Sequence, residues 1–480
     1  MAKQAKRKLP AHAARILYIL LAANFVVALN ETVLGVALPS VMKDLHISAS
    51  IGQWLTAAFL LTVAVVIPVT GFLQAKYSTR VLFFAAMGIF TLGTLLGALS
   101  VSFDMLLAGR VLQAAGTALL MPMFMTTMMK VVPEDMRGQV MGQISLVFSV
   151  APALGPAASG LIVQFWGWKG LFWVVLPISV LAFLIGGKWL HLEHEAGPVR
   201  LDFLSLVLSG VGFSALIYGL SEVGPAVRGD APVNPAFVIV PGALIVAWFA
   251  FRQLKLAPKN AALLDLGTFK SKVFSNAILL MVALMAGLFG TIIIVPIYMQ
   301  NVLHQTALVT GLVMMPGGLL QGLLGSTAGK FFDRYGARTI LVPALSGVAV
   351  SVGIMATFGV ATPLWLIFVA YTLLSVALGF CFPALFGTAM SSLTPELYSH
   401  GSATVGVVQQ VAGAAGTAGF VAVLTMLAGG NTQTASIAAM ATGTHGAFLM
   451  GFVVSLISIG LAFGFKAKKN QSQDGLAQQA

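Results

Sequence analysis

The chain has 480 residues, of which 58% are hydrophobic and only 8% are Asp, Glu, Lys or Arg, against roughly 25% charged residues in an ordinary globular protein. So few charges cannot clothe a water-facing surface, which excludes a soluble multidomain protein and makes lipid the solvent. The net charge of +12 reads as a topological signal and not as a nucleic-acid patch, and the single Cys381 excludes an internal disulfide or a cysteine metal cluster.

Fourteen apolar segments follow one another, near 16–38, 51–73, 81–103, 105–129, 139–164, 169–190, 203–221, 235–252, 274–300, 308–329, 339–359, 362–387, 402–428 and 446–465. Each approaches or exceeds the roughly 20 residues a membrane-spanning helix needs. The first lacks a signal-peptide cleavage pattern and is too long for an h-region, so it is expected to stay as a helix. An even number of crossings puts both termini on one side. With that side cytoplasmic, it holds 22 of the 26 Lys and Arg residues, and the other side holds Lys43, Lys169 and Arg228. This is the asymmetry of the positive-inside rule, and one missed helix would invert everything after it.

Gly71-Phe72-Leu73-Gln74-Ala75-Lys76-Tyr77-Ser78-Thr79-Arg80 follows the second segment, and Gly329-Lys330-Phe331-Phe332-Asp333-Arg334-Tyr335-Gly336-Ala337-Arg338 follows the tenth. Both read as cytoplasmic turns that open on Gly and carry a basic-Tyr pair, so the tenth segment is the second helix of a second half. The expected fold is an all-α polytopic membrane protein with two six-helix halves, 1–190 and 273–466. A linker with two inserted helices (191–272) separates them, and a cytoplasmic tail (467–480) follows. Duplicated six-helix halves are a hallmark of secondary transporters.

Of the fourteen acids, only Glu31 sits well inside an apolar segment, about 6 Å outward of the centre of the first helix. An acid at that depth usually faces a cavity and carries function, here as a proton carrier; a permanently neutral or snorkelling Glu is the alternative. Arg110 is the only base inside a segment, about 10 Å outward of centre in the fourth helix. It would offset part of the burial of Glu31 or else snorkel to the outer headgroups. Arg110, Gln113 and Thr117 share one helical face, as do Asn24, Ala28 and Glu31, with Asn30 adjacent. These stripes read as cavity walls, or as polar glue between helices.

The fifth segment contains Ala151-Pro152-Ala153-Leu154-Gly155-Pro156-Ala157-Ala158-Ser159-Gly160, kinked by its prolines and open to close approach at its small residues. Gly311, Pro316, Gly317, Gly318 and Gly322 offer a match in the tenth segment, which suggests a tight outward-side seam. Met121, Met123, Met125, Met128 and Met129 form either adaptable packing or a yielding binding wall. His191 and His194 lie in a charged linker and read as solvated residues rather than a metal pair. No phosphate-cradling loop is present, since Leu324 occupies the first Gly position before Gly329-Lys330. No metal or cofactor is expected, and energy must come from a gradient.

Several motifs in order resemble the fourteen-helix drug/proton antiporter branch of the major facilitator superfamily. Leu29-Asn30-Glu31-Thr32-Val33-Leu34-Gly35-Val36-Ala37-Leu38-Pro39 resembles that branch's helix 1 signature, and Arg110-Val111-Leu112-Gln113 its helix 4 motif, in which Arg is linked to proton transfer. Gly155-Pro156, with Gly160, resembles the antiporter motif associated with exporters. Gly329, Asp333, Arg334, Gly336 and Arg338 resemble the cytoplasmic gate motif. Two departures stand out. The branch often has Asp where Asn30 stands, which turns the acid at Glu31 by about 100°. The first copy of the gate motif has Ala75, Ser78 and Thr79 where the acid, the Gly and a base are usual.

The resemblance implies no enzyme activity but a proton-coupled antiporter of the cell membrane, which exports amphipathic, often cationic drugs by alternating access. Glu31 and Arg110 would couple protons, and Asn24, Asn30, Gln113 and Thr117 would line the cavity. Its partners would be small molecules, protons and the bilayer, with no nucleic acid, and it would act as a monomer. A same-fold transporter of a physiological solute or lipid is the alternative.

Overall fold

The computed structural model describes residues 10–47, 49–190, 202–228, 231, 233–259, 261–429 and 435–465. The linker at 191–201, with His191 and His194, and the tail from 466 onward lie outside the described residues.

A backbone in hydrocarbon must satisfy every N–H and C=O internally, which leaves the helix as the spanning element for such apolar segments. Described residues form α1 (Ala11–Asp44), α2 (Ala49–Lys76), α3 (Thr79–Leu99), α4 (Phe103–Val131), α5 (Arg137–Trp166), α6 (Lys169–Trp189) and α7 (Phe203–Ser221). After the short α8 (Val223–Arg228) come α9 (Ala236–Leu256), α10 (Lys272–Asn301), α11 (Ala307–Tyr335), α12 (Ala337–Met355), α13 (Leu364–Ser391), α14 (Tyr398–Leu427) and α15 (Ile437–Ala462). Thirteen are long and apolar enough to cross a membrane, and α5, with 30 residues, is the fourteenth long helix. Polar side chains start many of them: Ser78, Ser102, Asp202, Ser271, Thr306 and Ser436 each accept from a backbone N–H of the first turn.

The helices run past their apolar segments. α11 continues through Asp333 and Arg334 to Tyr335, so the two repeated motifs are mostly helix. The bend at the second is confined to Gly336, whose φ of 81° favours a residue without Cβ.

The pairing of helices repeats between halves. α1 packs on α5 and α6, α2 on α4, and α3 on α4 and α6; α10 packs likewise on α14 and α15, α11 on α13, and α12 on α13 and α15. Across the halves, α5 packs on α11 and α14 on α2, and the inserted α7 and α9 pair with each other, with α7 lying against α2 and α14. The end bearing Lys76, Lys188, Lys255 and Arg334 is called the basic end below.

The basic end is closed by two unlike seams. At α5–α11 the backbones touch: a Cβ on Gly138 or Gly142 would overlap the carbonyl of Gly329 or Gly325. The Asp333 carboxylate seals this crossing by accepting from Gly138 N (2.8 Å) and Gln139 N (3.0 Å). At α2–α14 the first motif copy has only Ala75 in the equivalent place. Gly71 instead packs against His400 and Leu263, and His400 Nδ1 accepts from Asp265 N at 3.2 Å. Leu263 and Leu264 are buried among Phe59, Val63, Ile67 and Phe72 of α2 and Ala403 and Val407 of α14. Buried Gln253 of α9 holds this plug, accepting from Leu263 N (2.7 Å) and Leu264 N (3.3 Å) and donating to Ser205 Oγ (2.7 Å). Arg252 donates twice to Asp202 (2.7 and 2.8 Å) and ties α9 to α7.

At the opposite end, a Cβ on Gly160 or Gly311 would meet open space. The expected seam between those segments is not formed there, and Gly317 packs instead on Tyr371 and Ser375 of its own half. The two helices cross most tightly at the basic end.

Candidate functional site

α4, capped at its start by Ser102, carries Arg110 two turns in, where it points inward and is only 2% exposed. Its Nη1 donates to Asn30 Oδ1 and to Gln113 Oε1, both at 3.1 Å. Gln113 Nε2 donates in turn to Thr94 Oγ1 at 2.9 Å, and Thr94 Oγ1 to Phe90 O at 2.8 Å. The guanidinium carbon lies 4.3 Å from the centre of the Phe59 ring, a cation–π contact suited to a weakly hydrated cation. Arg110 Nε is buried without a partner among the described residues. The charge is thus held by two amide oxygens and a ring, with Glu31 acting on it at longer range.

Beside this network lies a small cavity that is continuous with solvent. α1 gives it Asn24, Val27, Ala28 and Glu31, the spacing of one helical face. α2 adds Val63 and Ile67, α4 adds Thr117 and Met121, and α14 adds Gly406, Gln409 and Gln410. The cavity is therefore built between the halves, mostly from the first. Glu31 is exposed to it, and among the described residues no Lys or Arg lines it.

Of the residues expected to line a cavity, Asn24 and Thr117 do so, whereas Asn30 and Gln113 stand behind the wall, 2% and 0% exposed. The reason is angular. One residue turns an α-helix by about 100°, so Asn30 meets Arg110 while Glu31 looks into the cavity. Among the five methionines only Met121 lines it; Met123, Met125, Met128 and Met129 are core.

In the antiporter-like segment Gly155 is buried, Gly160 is exposed, and the side chain of Pro156 lies outside the described residues. Ser159 Oγ donates to Val33 O at 2.6 Å, fixing this segment to the helix that carries Glu31. In the gate-like motif, Gly329 and Asp333 make the α5–α11 crossing, Arg334 lies over Tyr335 (5.2 Å) and Arg338 over Phe463 (5.1 Å). Gln409 and Gln410 carry no charge and so do not stand out in the sequence as Glu31 and Arg110 do. Two adjacent carboxamides in an apolar segment were the available signal.

The Major Facilitator Superfamily profile matches residues 20–417. Lincomycin resistance protein LmrB of Listeria monocytogenes is 34% identical over 448 residues, covering 92% of this chain and 94% of that one. Multidrug resistance protein B homolog of Mycobacterium tuberculosis is 28% identical over 403 residues, 82% of this chain and 73% of that one. Among solved structures, the human organic anion transporter MFSD10 (TETRAN) superposes with a TM-score of 0.68 at 14% identity, covering 94% of this chain and all of that one. With its repeated six-helix halves and a cavity between them, the chain belongs to the Major Facilitator Superfamily and is a multi-pass membrane transporter, not an enzyme.

Proposed function

We propose that this transporter is a proton-coupled antiporter that exports amphipathic, often cationic compounds across the cell membrane. The observation that carries the reading is Glu31, a carboxyl at membrane depth, exposed to a cavity between the halves. Intramembrane acids in such places are functional by default. The cavity's apolar walls (Val27, Val63, Ile67, Met121) suit the body of an amphipath, and its single acid suits either a proton or a cation. The names of the relatives, lincomycin resistance and multidrug resistance, agree with this substrate class.

By the positive-inside rule the basic end and both termini are cytoplasmic. A structure closed there, with Gly160 and Gly311 facing open space at the other end, then corresponds to an outward-facing state. A substrate arriving from inside takes the carboxylate and releases a proton inward; a proton arriving from outside displaces the substrate. Arg110, anchored by Asn30 and Gln113, keeps a fixed positive charge beside the exchange point without occupying it. One chain holds the whole cavity, so the working unit is a monomer.

The test is efflux from reconstituted vesicles under an imposed pH gradient. Wild type is expected to accumulate a cationic dye against its gradient and Glu31→Gln to lose that uphill transport. Full pH-driven transport by Glu31→Gln would refute the coupling role.

A further inference from the structure

The cavity's hydrogen-bonding groups are sorted by wall. On the first-half side, Asn24 Nδ2 is spent on Leu20 O (2.8 Å) and Leu120 O (3.4 Å), so only its carbonyl oxygen remains for a ligand. Thr117 spends its hydrogen on Gln113 O at 2.8 Å and likewise offers only lone pairs. A carboxylate at Glu31 is acceptor-only. This wall can receive a ligand's donors but has none of its own to give. Across the cavity, Gln409 and Gln410 are half-buried, and neither carboxamide has a hydrogen-bond partner among the described residues. Each brings two N–H donors as well as an acceptor. Among the described residues they are the only side-chain N–H donors left free in the lining once Asn24 is accounted for.

We propose that Gln409 and Gln410 are specificity-determining residues. They select, among amphipathic amines, molecules whose protonated N–H end faces Glu31 and whose far side carries an acceptor oxygen, such as an amide carbonyl. The physical basis is that leaving an enclosed carboxamide unpaired costs more than an apolar contact gains, so a site built to hydrogen-bond an oxygen discriminates against the analogue without it. The assignment rests on the cavity being the substrate site, as argued above.

Two probes of equal chain length decide it: N-(3-dimethylaminopropyl)octanamide, with an internal amide, and N,N-dimethyldodecylamine, without one. Binding of each to the purified full chain is compared with binding to Gln409→Met/Gln410→Met. The double variant is expected to weaken the amide probe about tenfold and leave the amide-free probe unchanged. Equal change for both probes, or no change for either, overturns the proposal. If the double variant does not purify as a folded protein, Gln409→Ala and Gln410→Ala singly give the same two-probe ratio. Glu31→Gln separates the two readings. It should weaken both probes alike, and if it affects neither, the cavity reading fails whatever the glutamine ratio shows.

Discussion

Asn30 Oδ1 accepts from Arg110 Nη1 at 3.1 Å, and this one bond separates the anchoring of Arg110 from the exchange role proposed for Glu31. The carboxyl of the next residue, Glu31, is left free to face the cavity. Stability and transport are expected to separate accordingly. Asn30→Leu strips an acceptor from a buried cation and should cost about 1.5–3 kcal/mol, visible as a lowered Tm in detergent. Glu31→Gln should leave Tm nearly unchanged and abolish uphill efflux. Measuring both quantities on both variants checks the division.

The coupling through a single carboxyl proposed above would also fix the driving force. One proton exchanged for one monovalent cation moves no net charge, so the membrane potential, worth about 2.3 kcal/mol per charge per 100 mV, cancels. Only the pH difference remains, at about 1.4 kcal/mol per unit. Monocation export is expected to stop with nigericin and to be nearly indifferent to valinomycin. A neutral substrate should feel both. Vesicle transport with pH and voltage clamped separately measures this, and strong voltage dependence for a monocation would point to a second proton site, with Asp104 and Glu222 the first suspects.

The α5–α11 crossing predicts where the other end closes. Gly138 faces Gly329 and Gly142 faces Gly325; the same antiparallel register continued sets Pro156 opposite Gly311 and Gly155 opposite Leu312. In a Cys381→Ala background, Gly155→Cys with Leu312→Cys should crosslink only when the end opposite the basic one shuts. Gly142→Leu should overpack the basic end and bias the protein toward opening there, read as increased labelling of a cysteine placed at Thr126.

Asp202 supports a pH prediction. The hydrogen bonds from Arg252, with the Ser205 amide, hold its carboxyl well below the usual carboxylate range despite partial burial. A depressed carboxylate stabilises the fold above its unfolded pKa and loses that contribution only as pH falls through the folded value. The tie between α7 and α9 should therefore persist unchanged from pH 8 to pH 5. Asp202→Asn should lower Tm throughout that range by a similar amount, measured by thermal unfolding at several pH values.

Charge made most of this architecture legible. Twenty-two of 26 basic residues on one side admit few helix counts, because the cost of a charge in lipid depends on depth and not on folding detail. Glu31 and Arg110 stood out for the same reason. What depends on rotation about a helix axis was less legible. That Asn30 and not Glu31 meets Arg110 is a matter of one residue, and that four of five methionines are core depends on which neighbour lies across from each. Leu263 and Leu264 lie in a stretch with Lys255, Lys259, Lys270 and Lys272 that reads as solvated linker. Only the tertiary fold shows them buried between α2 and α14.

Those two seams at the basic end make a door hung on one side. Opening α5–α11 breaks the two hydrogen bonds that Asp333 accepts and separates closely apposed glycine backbones, with Phe332 beside them. Opening α2–α14 would draw two leucines out of an apolar cluster and tear a buried amide from its partners, a loss of several kcal/mol for the leucines alone. The inserted pair of helices is accordingly expected to act as a hinge post, with the larger movement at Asp333. Spin labels across the two seams should report a wide change in distance at the free edge and little at the hinge during turnover. Asp333→Asn should speed the swing, whereas Gln253→Leu should loosen the post itself.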